Sequence, residues 1–211
     1  MGTTTSTQAG TLSRSIQLGA WVFLASAAGQ LASVLLWTPI AGAHTIWFPG
    51  AVLLASLLMV DRPLWPACVA SAWLGVILVA ACFGLSPMDT ALVVAAPLLA
   101  PCPVAWWLLR QGNGRVLDEF SHVRRFLLAA AVVAIAGSLM VAWISSFTVL
   151  AGVVLGDWSN IAMSHALGYV LVVPLVITVA GERQALHPGA ATARDATVIG
   201  MATGLLITGF P

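Results

Sequence analysis

Apolar residues run along this chain in long blocks, separated by short stretches that carry the charged residues. Reading from one such break to the next gives seven blocks: Ile16–Leu36, Thr45–Val60, Leu64–Phe83, Thr90–Leu109, Phe126–Leu150, Ser159–Ala180 and Ala196–Pro211. A helix needs ~20 apolar residues to cross hydrocarbon, and most of these blocks approach that length. None alternates as a barrel strand does, so each is predicted to be helical, with its backbone satisfied internally. The expected fold is all-α: a polytopic helical membrane protein with about seven spans. The second block is short, and the break before it (Thr38, Pro39, Gly42) lets it enter at a slant. Residues 1–15 read as a flexible polar tail, and 16–211 as one integral membrane domain. The first apolar stretch, at about twenty residues, is longer than a signal-peptide core and reads as a retained helix.

Composition removes most other classes. The chain is 60% hydrophobic and 7% charged, with mean hydropathy +1.01, whereas a soluble domain carries about 25% charged residues to solvate its surface. Net charge is +1, and the basic residues are eight arginines with no lysine. No run of them is long enough to track a nucleic-acid backbone, so nucleic acid is not an expected partner.

The arginines set the expected orientation. Arg14, Arg62, Arg110, Arg115, Arg124, Arg125, Arg183 and Arg194 all fall in connections on one side of the predicted spans, and the opposite connections hold Asp89 and Asp157 but no arginine. The positive-inside rule then makes the N-terminus cytoplasmic. Seven spans from a cytoplasmic start would leave Pro211 on the outer side, so the polypeptide is expected to continue through an eighth span. Tryptophan fits the same frame: Trp37, Trp47 and Trp158 at the outer interface, and Trp65, Trp106 and Trp107 near the inner one. Trp73 falls inside span three, where interfacial anchoring does not explain it. Cys68, Cys82 and Cys102 lie in apolar runs without metal-ligand or redox spacing and read as small buried hydrophobes.

Charged side chains inside a bilayer are costly and default to functional readings. Asp61, Arg62, Asp89 and Asp157 all fall at span ends, so neither a proton relay nor a voltage sensor is indicated. The polar groups that do enter the membrane cluster towards the outer face. On span six, Asp157, Asn160, Ser164 and Gly168 share a helical stripe, with His165 beside it and Tyr169 below. At 1.5 Å per residue His165 sits roughly 10 Å below the interface. At the mouth of span two stand His44, Thr45, Trp47, Phe48, Pro49 and Gly50, where a helix start can turn free N–H groups towards an anion or carbonyl. The expected ligand site is one small outward-facing pocket lined by Trp47, Phe48, Asn160 and His165, with Asp157 and Tyr169 adjoining. It is expected to take a small molecule or lipid headgroup. A structural His165, bonded to a backbone carbonyl, is the alternative of comparable weight. No catalytic set, metal site or cofactor is expected. Pro97, Pro101 and Pro103 in span four and Pro174 in span six predict kinks.

The run Ile46 to Ala55 (IWFPGAVLLA) resembles the W-x-P-x-G-x-x-x-A signature of the bacterial membrane-associated sensor family, MASE type one. Arg62-Pro63-Leu64-Trp65-Pro66 is similar to that family's basic turn, and Phe120–Leu128 to its segment before span five. His165 to Leu175 is similar to its closing D-x-L-G-x-L-x-x-x-P-L motif, with His165 where the family pattern has a carboxylate and Gly50 where an alanine is frequent. The resemblance covers about residues 16–180. It implies a sensory input domain in the bacterial inner membrane, non-catalytic in this region. The same resemblance implies coupling to a cytoplasmic histidine kinase or cyclic-di-GMP output and dimerisation through that output domain, with membrane lipids and a second membrane protein as candidate partners.

Two other readings fit the same residues. A transporter or substrate-capturing subunit would use the outward pocket as its substrate site, though no internal repeat joins spans one to three with four to six. An intramembrane serine protease would pair Ser138 with His165 as nucleophile and base.

Overall fold

In the computed structural model, residues 4–38, 43–44, 46–84, 86, 91–92, 96–111, 120–147 and 158–186 are described. Six α-helices make up nearly all of it: α1 (Thr4–Leu35), α2 (Phe48–Met59), α3 (Trp65–Cys82), α4 (Pro101–Gln111), α5 (Phe120–Ser145) and α6 (Trp158–Leu186). Short 3-10 turns, Arg62–Leu64 and Ala96–Leu99, precede α3 and α4, and a two-residue antiparallel ladder joins Trp37–Thr38 (β1) to Ala43–His44 (β2). The all-α expectation holds at this level.

Four helical stretches are long and apolar enough to cross a membrane: Ser15–Leu35, Arg62–Cys82, Ser121–Ser145 and Trp158–Val179. The chain is thus a multi-pass membrane protein with four such helices among the described residues, against about seven in the sequence reading. The seventh predicted block, Ala196–Pro211, lies outside the described residues. Block two became α2, whose twelve residues span only about 18 Å, short of a ~30 Å hydrocarbon core. Block four is broken. Its prolines divide it into the 3-10 turn, closed by the Ala100 N–H donating to the Pro97 carbonyl at 3.1 Å, and α4, which opens on Pro101 and Pro103. Proline lacks an N–H and is tolerated in a helix's first turn, so these residues start a helix where a single kinked one was expected. The predicted tail also differs: α1 is helical from Thr4, because no proline interrupts the chain before Pro39.

The core is apolar, but polar side chains share it while large apolar ones cover the outside. Ser26, Gln30, Ser33, Ser56, Ser138, Ser145, Ser164 and His165 are buried, whereas Leu74, Leu128, Val132, Leu139, Trp143 and Met163 are more than half exposed. Contiguous exposed apolar surface on this scale needs an apolar solvent. Small residues let the helices approach closely. Gly19 of α1 lies against Ser71 of α3, and Gly75 against Phe23 and Ala27, so α1 and α3 run side by side in the same direction. Between them in sequence, α2 runs back the other way. Every residue from Phe48 to Leu57 is buried, as befits a helix apolar on all sides. It packs on α1, α3, α4 and most extensively on α6. Ser56 donates its hydroxyl to the Val52 carbonyl at 2.8 Å, so the one polar side chain of this buried stretch is satisfied within its own helix.

Leu54, fully buried in α2, and Leu128, 60% exposed on α5, give a direct contrast. Leu54→Ala is expected to lose ~2–5 kcal/mol through the cavity it leaves. Leu128→Ala should stay within about 0.5 kcal/mol. Reversible unfolding in mixed micelles measures both, and equal losses would contradict the central position of α2.

Candidate functional site

The start of α2 lies inside the bundle, where its backbone has to be satisfied by protein. Trp47 is the N-cap, in an extended conformation (φ −107°, ψ 104°), and its own side chain caps nothing. Its N–H donates to the Ser164 carbonyl of α6 at 3.2 Å. The next amide, Phe48 N–H, donates to Ser33 Oγ of α1 at 3.1 Å, while the Ser33 hydroxyl donates to the Gly29 carbonyl at 2.9 Å. Pro49 has no N–H to satisfy. Two neighbouring helices thus supply the acceptors that a solvated helix start would find in water. Of the first-turn donors, Phe48 N–H is taken by Ser33 and Pro49 has none.

Side chains lock the same junction. The Trp47 indole stacks on the His165 imidazole with ring centroids 4.2 Å apart and planes inclined by 27°. Gly137 of α5 faces the imidazole, where an added Cβ would come within 3.2 Å of His165 Nδ1. The Trp47 carbonyl sits directly against Gly168, leaving no room there for any side chain. Gly50 fits between the Trp47 ring and the Tyr169 hydroxyl, each 2.6 Å from where a Cβ would stand. Helices α1 and α6 therefore converge on residues 47–50, and α5 packs on the His165 side of the stack.

Of the predicted site residues, Trp47, Phe48, His165 and Tyr169 are together and buried, at 5%, 6%, 4% and 1% exposure. Asn160 does not join them. It lies in the first turn of α6 and is exposed, above the level of Ser164 where α2 begins. Asp157 lies outside the described residues. Two residues expected to line a pocket, Trp47 and His165, are in direct stacking contact with each other. A cavity of about 450 Å³ opens elsewhere, between α3 and the 3-10 turn leading to α4, against Trp65, Val69, Trp73, Leu99 and Cys102. Trp73, unexplained as an interfacial anchor, is part of that wall. Cys82 is exposed, while Cys68 is buried and Cys102 partly so, so the uniform reading of the cysteines as buried hydrophobes fails at the end of α3.

Sequence reasoning missed Gly29 and Ser33. They form a small-x-x-x-small pair on α1, a signal that close helix approach makes meaningful. Ser138, the candidate nucleophile, donates its hydroxyl to the Ile135 carbonyl at 2.9 Å, a helix back-bond and not a pair with His165. Among the described residues no group of three His, Cys, Asp or Glu side chains could hold a metal ion.

Gly168→Ala would drive a methyl group into the Trp47 backbone and should lower stability by ~1–3 kcal/mol. Gly137→Ala, which meets only the edge of an imidazole, should cost less. Thermal unfolding of the purified variants in detergent measures the order, and a Gly168→Ala protein as stable as the parent would refute the close approach.

No family model, curated protein or solved structure matches the chain at a significant level.

Proposed function

We propose that this chain is an integral membrane sensory input domain, of the kind its W-F-P-G and H-A-L-G motifs resemble, which passes a small-molecule signal to a cytoplasmic output. One observation carries the reading: the Trp47–His165 stack closes the start of a short helix, buried from Phe48 to Leu57, against α6. A packed aromatic contact of this kind has discrete arrangements, not a continuum, and so suits a two-state element. A ligand bearing a flat or polar group that competes for either ring frees the α2 start from α6. Helix α6 runs on beyond its apolar stretch, from Val179 to Leu186, and is the natural route for that displacement.

His165→Ala tests the proposal in the full reading frame with its output domain. A sensor predicts at least a severalfold change in kinase activity or cyclic-di-GMP level, with expression and thermal stability nearly intact. Lost stability with unchanged output would make His165 structural.

The segregation of arginine supports a cytoplasmic N-terminus and a cytoplasmic 110–125 connection. Arg115→Cys should resist membrane-impermeant thiol reagents in intact cells, while Asp89→Cys should react. The reverse pattern would invert the topology.

A substrate-capturing membrane subunit is the second reading. Its support is α2 itself, a twelve-residue helix buried within the bundle, since half-length helices are the usual lining of transport sites. Solute accumulation in proteoliposomes separates the two.

A further inference from the structure

The cavity between α3 and α4 has the form of a lipid groove. Its α3 wall is Trp65, Pro66, Val69, Ala70 and Trp73, a spacing that keeps all five on one side of a helix. Small Pro66 and Ala70 between bulky tryptophans make the depression. The facing wall belongs to the proline-broken connection, where Leu99 and Cys102 contribute and a 3-10 turn replaces the fuller cylinder of a regular helix. No charged or hydroxyl side chain lines it. The groove opens sideways on a face where Ala70, Leu74 and Leu78 are exposed, within a stretch apolar enough to span a membrane.

One end of the groove is fixed. Trp65 Nε1–H donates to the Val60 carbonyl at 3.3 Å, which holds that indole as a standing wall. Trp73 lies eight residues on, about 12 Å along the helix axis, so the groove runs lengthwise into the apolar stretch. Immediately before Trp65 in the chain, the 3-10 turn Arg62–Leu64 carries an exposed cation, Arg62, and follows an exposed anion, Asp61. A basic and an acidic group side by side match a headgroup that carries a phosphate and an ammonium.

We propose that this groove binds one acyl chain of an ethanolamine phospholipid, with Arg62 taking the phosphate and Asp61 the ammonium. The site stands apart from the Trp47–His165 junction: Val60 closes α2 at one end, and Trp47 opens it at the other. It belongs to the protein whether or not that junction senses a signal.

Native mass spectrometry of the purified full chain, delipidated and then titrated with phosphatidylethanolamine or phosphatidylglycerol, provides the test. The parent should retain one phosphatidylethanolamine and prefer it to phosphatidylglycerol at least fivefold. Ala70→Phe adds a ring to an exposed position, fills the groove without disturbing the core, and should abolish retention of both. Asp61→Asn should remove the preference, and Arg62→Gln should weaken both lipids severalfold. A phosphatidylethanolamine with a diazirine on its chain should crosslink within residues 65–73 or 99–102. Retention by Ala70→Phe equal to the parent, an unchanged preference in Asp61→Asn, or crosslinks mapping elsewhere would each overturn the proposal.

Discussion

A backbone amide shielded from water has to find its acceptor within the protein, and the start of α2 is where that constraint organises this molecule. Trp47 and Phe48 present consecutive N–H groups inside the bundle, and the acceptors come from the Ser164 carbonyl of α6 and Ser33 Oγ of α1. Each unmade bond of this type would cost about 1–3 kcal/mol, so the two helices are tied to the same point. Other features follow from that tie. Gly168 has no side chain because the Trp47 carbonyl occupies its place, and Gly29 meets the Phe48 side chain at close range. With its start held, α2 passes down the centre of the bundle with Phe48 to Leu57 shielded on every side.

Much of the fold was legible in the hydrophobic pattern because the solvent decides it. An apolar exterior cannot be disguised in composition, and the four long helices coincide with blocks one, three, five and six of the sequence reading. What misled was length. Apolar residues alone do not distinguish a helix that faces lipid from one surrounded by protein, so α2, the most apolar element, looked like a slanted span when it is a buried half-length helix. In block four the prolines were read as kinks, but Pro101 and Pro103 fall together in a first turn, where proline begins a helix as readily as it bends one.

The candidate site divides along the same line. Trp47, Phe48, His165 and Tyr169 stood out because large aromatic and titratable groups inside apolar runs call for a reason, and the bundle gathers all four. Asn160 was placed with them by helical spacing, which is sound along α6 but takes no account of where its neighbour starts. Asn160 lies one turn before Ser164, in the first turn of α6, and stays exposed there. Gly29 and Ser33 were passed over because a glycine and a serine four residues apart in an apolar helix look like nothing more than packing. Their roles depend on which helix lies opposite, and a single sequence does not encode that in its local pattern. The lipid-facing groove is a further case. Trp73 was conspicuous, but the depression beside it is made by Pro66 and Ala70, whose contribution is their small size.

The account rests on the Trp47–His165 contact as the clasp between α2 and α6, and a double-mutant cycle measures that contact directly. Unfolding free energies of the parent, Trp47→Leu, His165→Leu and the double variant, taken in the same micelles, isolate the interaction from the separate costs of each truncation. A stacked pair that holds the junction predicts a coupling of ~0.5–1.5 kcal/mol, as aromatic pairs give beyond their buried area. Strict additivity of the two losses would mean that the rings merely adjoin, and that α2 is held without them.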